Sequence, residues 1–158
     1  MPQGKKEQAA ALAVGCGSLI LCLAGVPPEH FAMYAGCPWQ NRLLWHFFHA
    51  NIFHCILNVW VLLQFAFLTP CSLWRMLWCY AFACTAWSQQ PVVGLSGVLM
   101  ALMGSYTFQV RRRLYWISYC AAFIALGFFI GRVAAWVHLW CFMGGLVYSV
   151  LNIRVADD

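Results

Sequence analysis

Apolar positions dominate this chain and fall in six runs: Ala9–Val26, Asn51–Leu68, Ser72–Trp87, Val93–Val110, Leu114–Ile130 and Ala134–Leu151. Each is roughly 16 to 18 residues long, at the short end of what crosses a bilayer as a helix. None alternates apolar and polar residues at period two, the pattern of a membrane barrel strand. Helices are therefore predicted for all six, since helices and closed barrels are the two structures that satisfy the backbone in lipid. The first run has features of a signal peptide, with Lys5 and Lys6 before it and small residues within it. It is long, however, and Pro27-Pro28 follows without a small-x-small cleavage site, so it reads as a retained first helix.

Composition sharpens this picture. The 158 residues are 64% hydrophobic and 8% charged, against about 25% charged in soluble domains. A surface cannot be covered from so few polar groups, so lipid is the expected solvent. The length leaves room for about six helices, a single membrane domain over residues 1–158. The cations then set the orientation. With the N-terminus in the cytoplasm, Lys5, Lys6, Arg75, Arg111, Arg112, Arg113 and Arg154 lie inside, and Arg42 and Arg132 outside. Both termini are thus expected in the cytoplasm. The net charge of +5 is a topology signal rather than a nucleic-acid signal, because Arg111-Arg112-Arg113 is a short loop between spans.

The nine cysteines lie mostly within the apolar runs, where free cysteine acts as a small hydrophobe. No disulfide framework is predicted. Residues 27–50 form the only long connection expected, on the outer side. They are rich in aromatics (Phe31, Tyr34, Trp39, Trp45, Phe47, Phe48) and histidines (His30, His46, His49). Such a segment is expected to dip into the interface, where Trp and Tyr are at home.

Used as a ruler, the topology brings four polar side chains to one depth. His54 lies about one turn and Asn58 about two turns below the outer surface, on one face of the second span. Ser96 lies about a turn and a half below Pro91, and His138 about 9 Å below Arg132. Polar groups within hydrocarbon are costly and mark function. Gly97, Ala101, Gly104 and Phe108 form a stripe beside Ser96; Ala134, His138, Cys141 and Gly145 form another. Small residues at these spacings let membrane helices approach closely. A serine level with a histidine suggests a nucleophile and its base. Glu7, Glu29, Asp157 and Asp158 lie at the ends or in a loop, so no carboxylate is placed to complete a triad.

Three motifs carry a family resemblance. They are Arg42-Leu43-Leu44-Trp45-His46 with His49-Ala50-Asn51-Ile52-Phe53-His54-Cys55-Ile56-Leu57-Asn58; Gly94-Leu95-Ser96-Gly97 continuing through Met100 and Ala101 to Gly104; and His138 with Gly145. In that order the chain resembles the rhomboid intramembrane serine proteases over nearly its whole length. The resemblance implies Ser96 as nucleophile and His138 as general base. It implies an oxyanion site made by His54, Asn58 and the Ser96 backbone N–H, and supporting loop positions at Arg42, His46 and His49. It also implies substrates that are transmembrane helices of other proteins, cut near their outer end, no cofactor, and gating by the fifth span and the link before the sixth. A bacterial cytoplasmic membrane is the expected location. The chain departs from the family at Cys141, where a glycine is usual, at Met100, where a tyrosine is common, and in the His46–His49 spacing, one residue short.

Three other readings compete. One is a client-binding pseudoprotease, although such members usually lose the serine or the histidine. Another is a metal- or haem-binding membrane protein built on His46, His49 and His54, imidazole being the commonest metal ligand. The third, a bare structural bundle, leaves the common depth of the four polar residues unexplained.

Overall fold

The computed structural model describes residues 4–129 and 134–152. Arg132, Arg154, Asp157, Asp158 and most of the link before the last helix lie outside the described residues. Seven helices form: α1 (Lys5–Leu23), α2 (Trp39–Leu44), α3 (Ile52–Leu68), α4 (Leu73–Ala83), α5 (Ser96–Ser105), α6 (Arg113–Phe129) and α7 (Ala135–Leu151). Short 3-10 turns lie at Pro28–Phe31 and Trp45–Phe47. Among the described residues there is no strand, only an isolated antiparallel bridge between Met33 and Val92.

Local chemistry sets several of these starts. Asn51 caps α3, its side chain accepting from the His54 N–H at 2.9 Å. Ser72 caps α4 through the Arg75 N–H at 3.2 Å. Each cap satisfies one of the orphan amides of a first turn.

The helices alternate in direction. Glu7 on the first turn of α1 accepts from the Leu73 N–H that opens α4. Thr69, just after α3, bonds the Tyr106 hydroxyl just after α5. Arg75 on α4 lies over the rings of Tyr106 and of Tyr148 on α7. The starts of α1, α4 and α6 therefore share one end with the finishes of α3, α5 and α7. The opposite end holds residues 27–50, the start of α3, residues 84–95 and the starts of α5 and α7.

The core forms around α5, nine of whose ten residues are buried. It packs most extensively on α7. At their crossing, a Cβ on Gly145 would strike the Ala101 carbonyl and one on Gly104 the Phe142 carbonyl. Only glycine allows backbones to come this close. α1 packs on α3, with Gly15 receiving the Val59 side chain. α6 stands apart, reaching α5 through the Trp116 indole N–H on the Met103 carbonyl.

Several boundaries differ from the hydropathy reading. The first helix runs Lys5–Leu23 rather than Ala9–Val26, because nothing in the sequence of residues 5–8 opposes a helix. The third expected span ends at Ala83, where Cys84 and Thr85 turn back onto Tyr80 and Phe82. The fourth shrinks from 93–110 to Ser96–Ser105. Its expected first turn does not form, because Gly94 has φ 122°, outside the helical region. Its expected last turn unwinds into tight turns after Ser105, with the Phe108 N–H bound to the Ser149 hydroxyl, so Phe108 leaves the α5 stripe. Residues 84–95 therefore form a second long connection, and residues 27–50 contain α2.

By length and composition, α1 is the one described helix that alone could cross a membrane. α2 with its following turn and α3 pass jointly, as a pair bent by 83°. α3, α6 and α7 have 17 residues each.

Candidate active site

The site lies where the two irregular segments meet the starts of α3, α5 and α7. Three ties hold those segments together. Met33 and Val92 exchange backbone hydrogen bonds at 2.9 and 3.0 Å. Arg42 donates to the Ala86 carbonyl at 3.2 Å. The Trp45 carbonyl accepts from Gly94 at 2.9 Å. These place the turn Gly94-Leu95 and so fix where α5 begins.

Ser96 is the first residue of α5. It sits at a helix N-terminus rather than a turn and a half inside a helix. Its backbone N–H is therefore among the four that a helix start leaves without an intrahelical partner. The Ser96 hydroxyl is 2.9 Å from Nε2 of His138, on the first turn of α7. Ser96 is half-buried and His138 is buried. The bond crosses the helix pair that the Gly104–Gly145 contact draws together. Nδ1 of His138 is buried without a partner among the described residues.

His54 and Asn58 stand on one face of α3. The Asn58 amide donates to the His54 carbonyl at 2.7 Å, leaving one amide hydrogen for another acceptor. His54 approaches the nucleophile turn closely: a Cβ on Gly94 would lie 2.7 Å from its Cε1 and 3.1 Å from its Nε2. Gly94 is thus required twice, by its positive φ and by the imidazole beside it.

His49 braces this arrangement. Its Nε2 accepts from the Leu95 N–H at 3.4 Å, and its ring meets that of His54 edge-on at 5.2 Å. Burial, with the charge of His54 adding to it, pushes the His49 imidazole down to about 4. It is therefore neutral near pH 7 and free to accept. His46 lies deeper, its ring tilted against that of Trp45 at 4.0 Å and within 3.5 Å of the Cys84 thiol. Burial pushes it down to about 3.

The stripe positions have distinct places. A Cβ on Gly97 would lie 2.8 Å from the Trp45 indole and 3.3 Å from the Cys141 thiol. Cys141 therefore fills space against Gly97 while the tight crossing falls one turn further on, at Gly145. Met100 and Ala101 are core residues. The ring nearest His138 is that of Phe123 on α6, 6.5 Å away.

Two residues central to this geometry escaped sequence reasoning. Trp45, fully buried, gives its carbonyl to Gly94 and its ring to Gly97. Phe123 lies tilted beside the His138 imidazole. Trp45 stands in the first motif, which does not reveal these contacts, and no spacing singles out Phe123.

Chemically, the arrangement offers a hydroxyl in contact with an imidazole, a free backbone N–H beside it, and an imidazole and an amide from a third helix. Among the described residues no group of three or more His, Cys, Asp or Glu side chains is placed to hold a metal ion. No family model matches the chain, and no curated protein or solved structure matches it either.

Proposed function

We propose that the chain is an intramembrane serine endopeptidase of the rhomboid type, acting through a Ser96–His138 dyad on transmembrane helices of other proteins. The observation that carries this reading is the 2.9 Å approach of the Ser96 hydroxyl to His138 Nε2. Two residues 42 positions apart meet inside an otherwise apolar bundle. Ser105, at the other end of α5, satisfies itself on the Leu102 carbonyl at 2.7 Å instead.

The steps follow from the geometry. His138 Nε2 takes the Ser96 hydroxyl proton as the oxygen attacks the peptide carbonyl carbon. Negative charge develops on the carbonyl oxygen, and the Ser96 N–H, Asn58 and His54 are the donors available to it. The C–N bond then breaks, and the leaving amine takes the proton from His138. Water attacks the acyl-enzyme, again losing a proton to His138, and releases the carboxylate and Ser96.

The membrane reading draws support from the surface. Phe129, Leu114 and Phe53 are 86%, 81% and 81% exposed, while Asn58, His46 and His138 are buried. Large apolar faces of this kind are foreign to a water-facing monomer. α3, α6 and α7, at 17 residues, reach the lower limit for spanning. On this reading the six spans are α1, α3, α6 and α7 together with the shorter α4 and α5, of 11 and 10 residues, each completed by the apolar segment beside it, with both termini cytoplasmic. Lys5, Lys6, Arg75, Arg111, Arg112 and Arg113 share the end away from Ser96. A bacterial cytoplasmic membrane fits that charge bias.

A fluorophosphonate probe tests the nucleophile directly. Labelling of the detergent-solubilised wild type, absent in Ser96→Ala and His138→Ala, is the expected result. Equal labelling of Ser96→Ala contradicts the proposal. An unlabelled wild type favours a client-binding protein without catalysis.

A further inference from the structure

Two of the nine cysteines meet across a helix contact, at the same end of the molecule as Ser96. α1 and α3 run antiparallel and pack on one another, with Gly15 of α1 receiving the Val59 side chain of α3. Cys22 lies seven residues on from Gly15, about two turns towards the site end and on the same face. Cys55 lies four residues before Val59, about one turn towards that end and again on the same face. Helical side chains lean towards the start of their own helix, so in an antiparallel pair these two lean towards each other. Their thiols interact directly. No spacing in the sequence pairs these residues; the helix register does.

Their surroundings differ. Cys55 is fully buried, on the first turn of α3 and next to His54. Cys22 is half-buried, on the last turn of α1. The helix ends just beyond it: the Gly25 N–H returns to the Cys22 carbonyl at 3.2 Å, and Gly25 has φ 68°. One sulfur is therefore within reach of a reagent, and the other within reach of its neighbour. That is the division between an attacking and a resolving thiol.

We propose that Cys22 and Cys55 are a redox pair that closes into a disulfide joining α1 to the start of α3. The Cys22 thiolate attacks the disulfide of a thiol oxidant and expels one of its sulfurs as a thiolate, leaving a mixed disulfide. The Cys55 thiolate then attacks the Cys22 sulfur and expels the second. The chain gives up two protons and two electrons, and the oxidant's disulfide becomes two thiols. Thiols already in contact move by about 2 Å to reach bonding distance, about 2.05 Å. The bond ties positions 33 apart and holds the turn that carries His54 against α1. On the membrane reading this end faces away from the cytoplasm, where disulfides persist. That reading sets which oxidant the pair meets; the serine chemistry has no part in the inference.

The test is peptide mapping by mass spectrometry. The purified full chain is incubated in detergent at mildly alkaline pH with oxidised glutathione, then alkylated and digested without reduction. Peptides linked through Cys22 and Cys55 are expected from most chains. None is expected from Cys22→Ser, in which Cys55 is recovered as an alkylated thiol. Reducing the closed form is expected to lower the unfolding midpoint by about 5 °C or more, and to leave Cys22→Ser unmoved. Recovery of both residues as free thiols after oxidation overturns the proposal, as does linkage of either to another cysteine of the chain, or a wild-type midpoint that reduction does not shift. A pair that closes with glutathione but is trapped as thiols in chains alkylated inside intact cells supports the pair and contradicts the outward orientation of this end.

Discussion

At the scale of single residues, the account turns on a serine and a histidine whose chemistry depends on their setting. Ser96→Ala and His138→Ala are each expected to reduce peptide cleavage below about 10⁻⁴ of wild type, because residues of a catalytic unit lose nearly all activity singly. Unchanged circular dichroism must accompany the loss. Asn58→Ala is expected to cost less, on the order of 10², the scale of one oxyanion donor. A rate within twofold of wild type excludes Asn58 from that role. His46 and His49 set a pH dependence of stability. Both are held neutral, with imidazoles pushed from the usual 6.5 to about 3 and about 4. The unfolded chain binds their protons first, so stability is full above about pH 6.5 and falls as pH drops towards 4. The unfolding midpoint in detergent is expected to be lower at pH 5 than at pH 7, and less so in His49→Gln. Ser96, His138, His54 and Asn58 were legible in the sequence because a polar group in an apolar run stands out. Trp45 and Phe123 were not, because their roles come from a carbonyl and a ring face that many residues possess.

At the scale of elements, the existence of the helices was more legible than their ends. Hydropathy finds the end of a helix only when the following turn is polar, and here Val92, Val93 and Tyr106 keep the turns apolar. The start of α5 is set by bonds from distant residues, Trp45 to Gly94 and His49 to Leu95, which no local pattern displays. The stripe glycines were legible, and the structure separates their duties. Gly145→Ala is expected to destabilise strongly, by about 2 kcal/mol or more, since its Cβ strikes backbone atoms of α5 that cannot rotate away. Gly97→Leu is expected to lower both the unfolding midpoint and cleavage, because it drives against Trp45 and Cys141 beside the nucleophile. A Gly97→Leu variant with wild-type melting would place the α5–α7 contact elsewhere.

At the scale of the whole molecule, alternation of the helices gathers the candidate site at one end and the basic residues at the other. Six of the nine Lys and Arg residues lie at the basic end. On the proposed reading, that separation holds the cations in the cytoplasm and the candidate site near the outer face. The alternation of the helices was legible from the count of apolar runs. The second irregular segment, residues 84–95, was not, because it is nearly as apolar as the helices it joins. The most direct test of the whole account is proteolysis in liposomes, using purified wild type and Ser96→Ala. The substrate is a labelled transmembrane helix with a small residue and a helix-breaker near its outer end. Cleavage within the membrane segment by the wild type and none by Ser96→Ala is the predicted result. Cleavage by both proteins alike would contradict it.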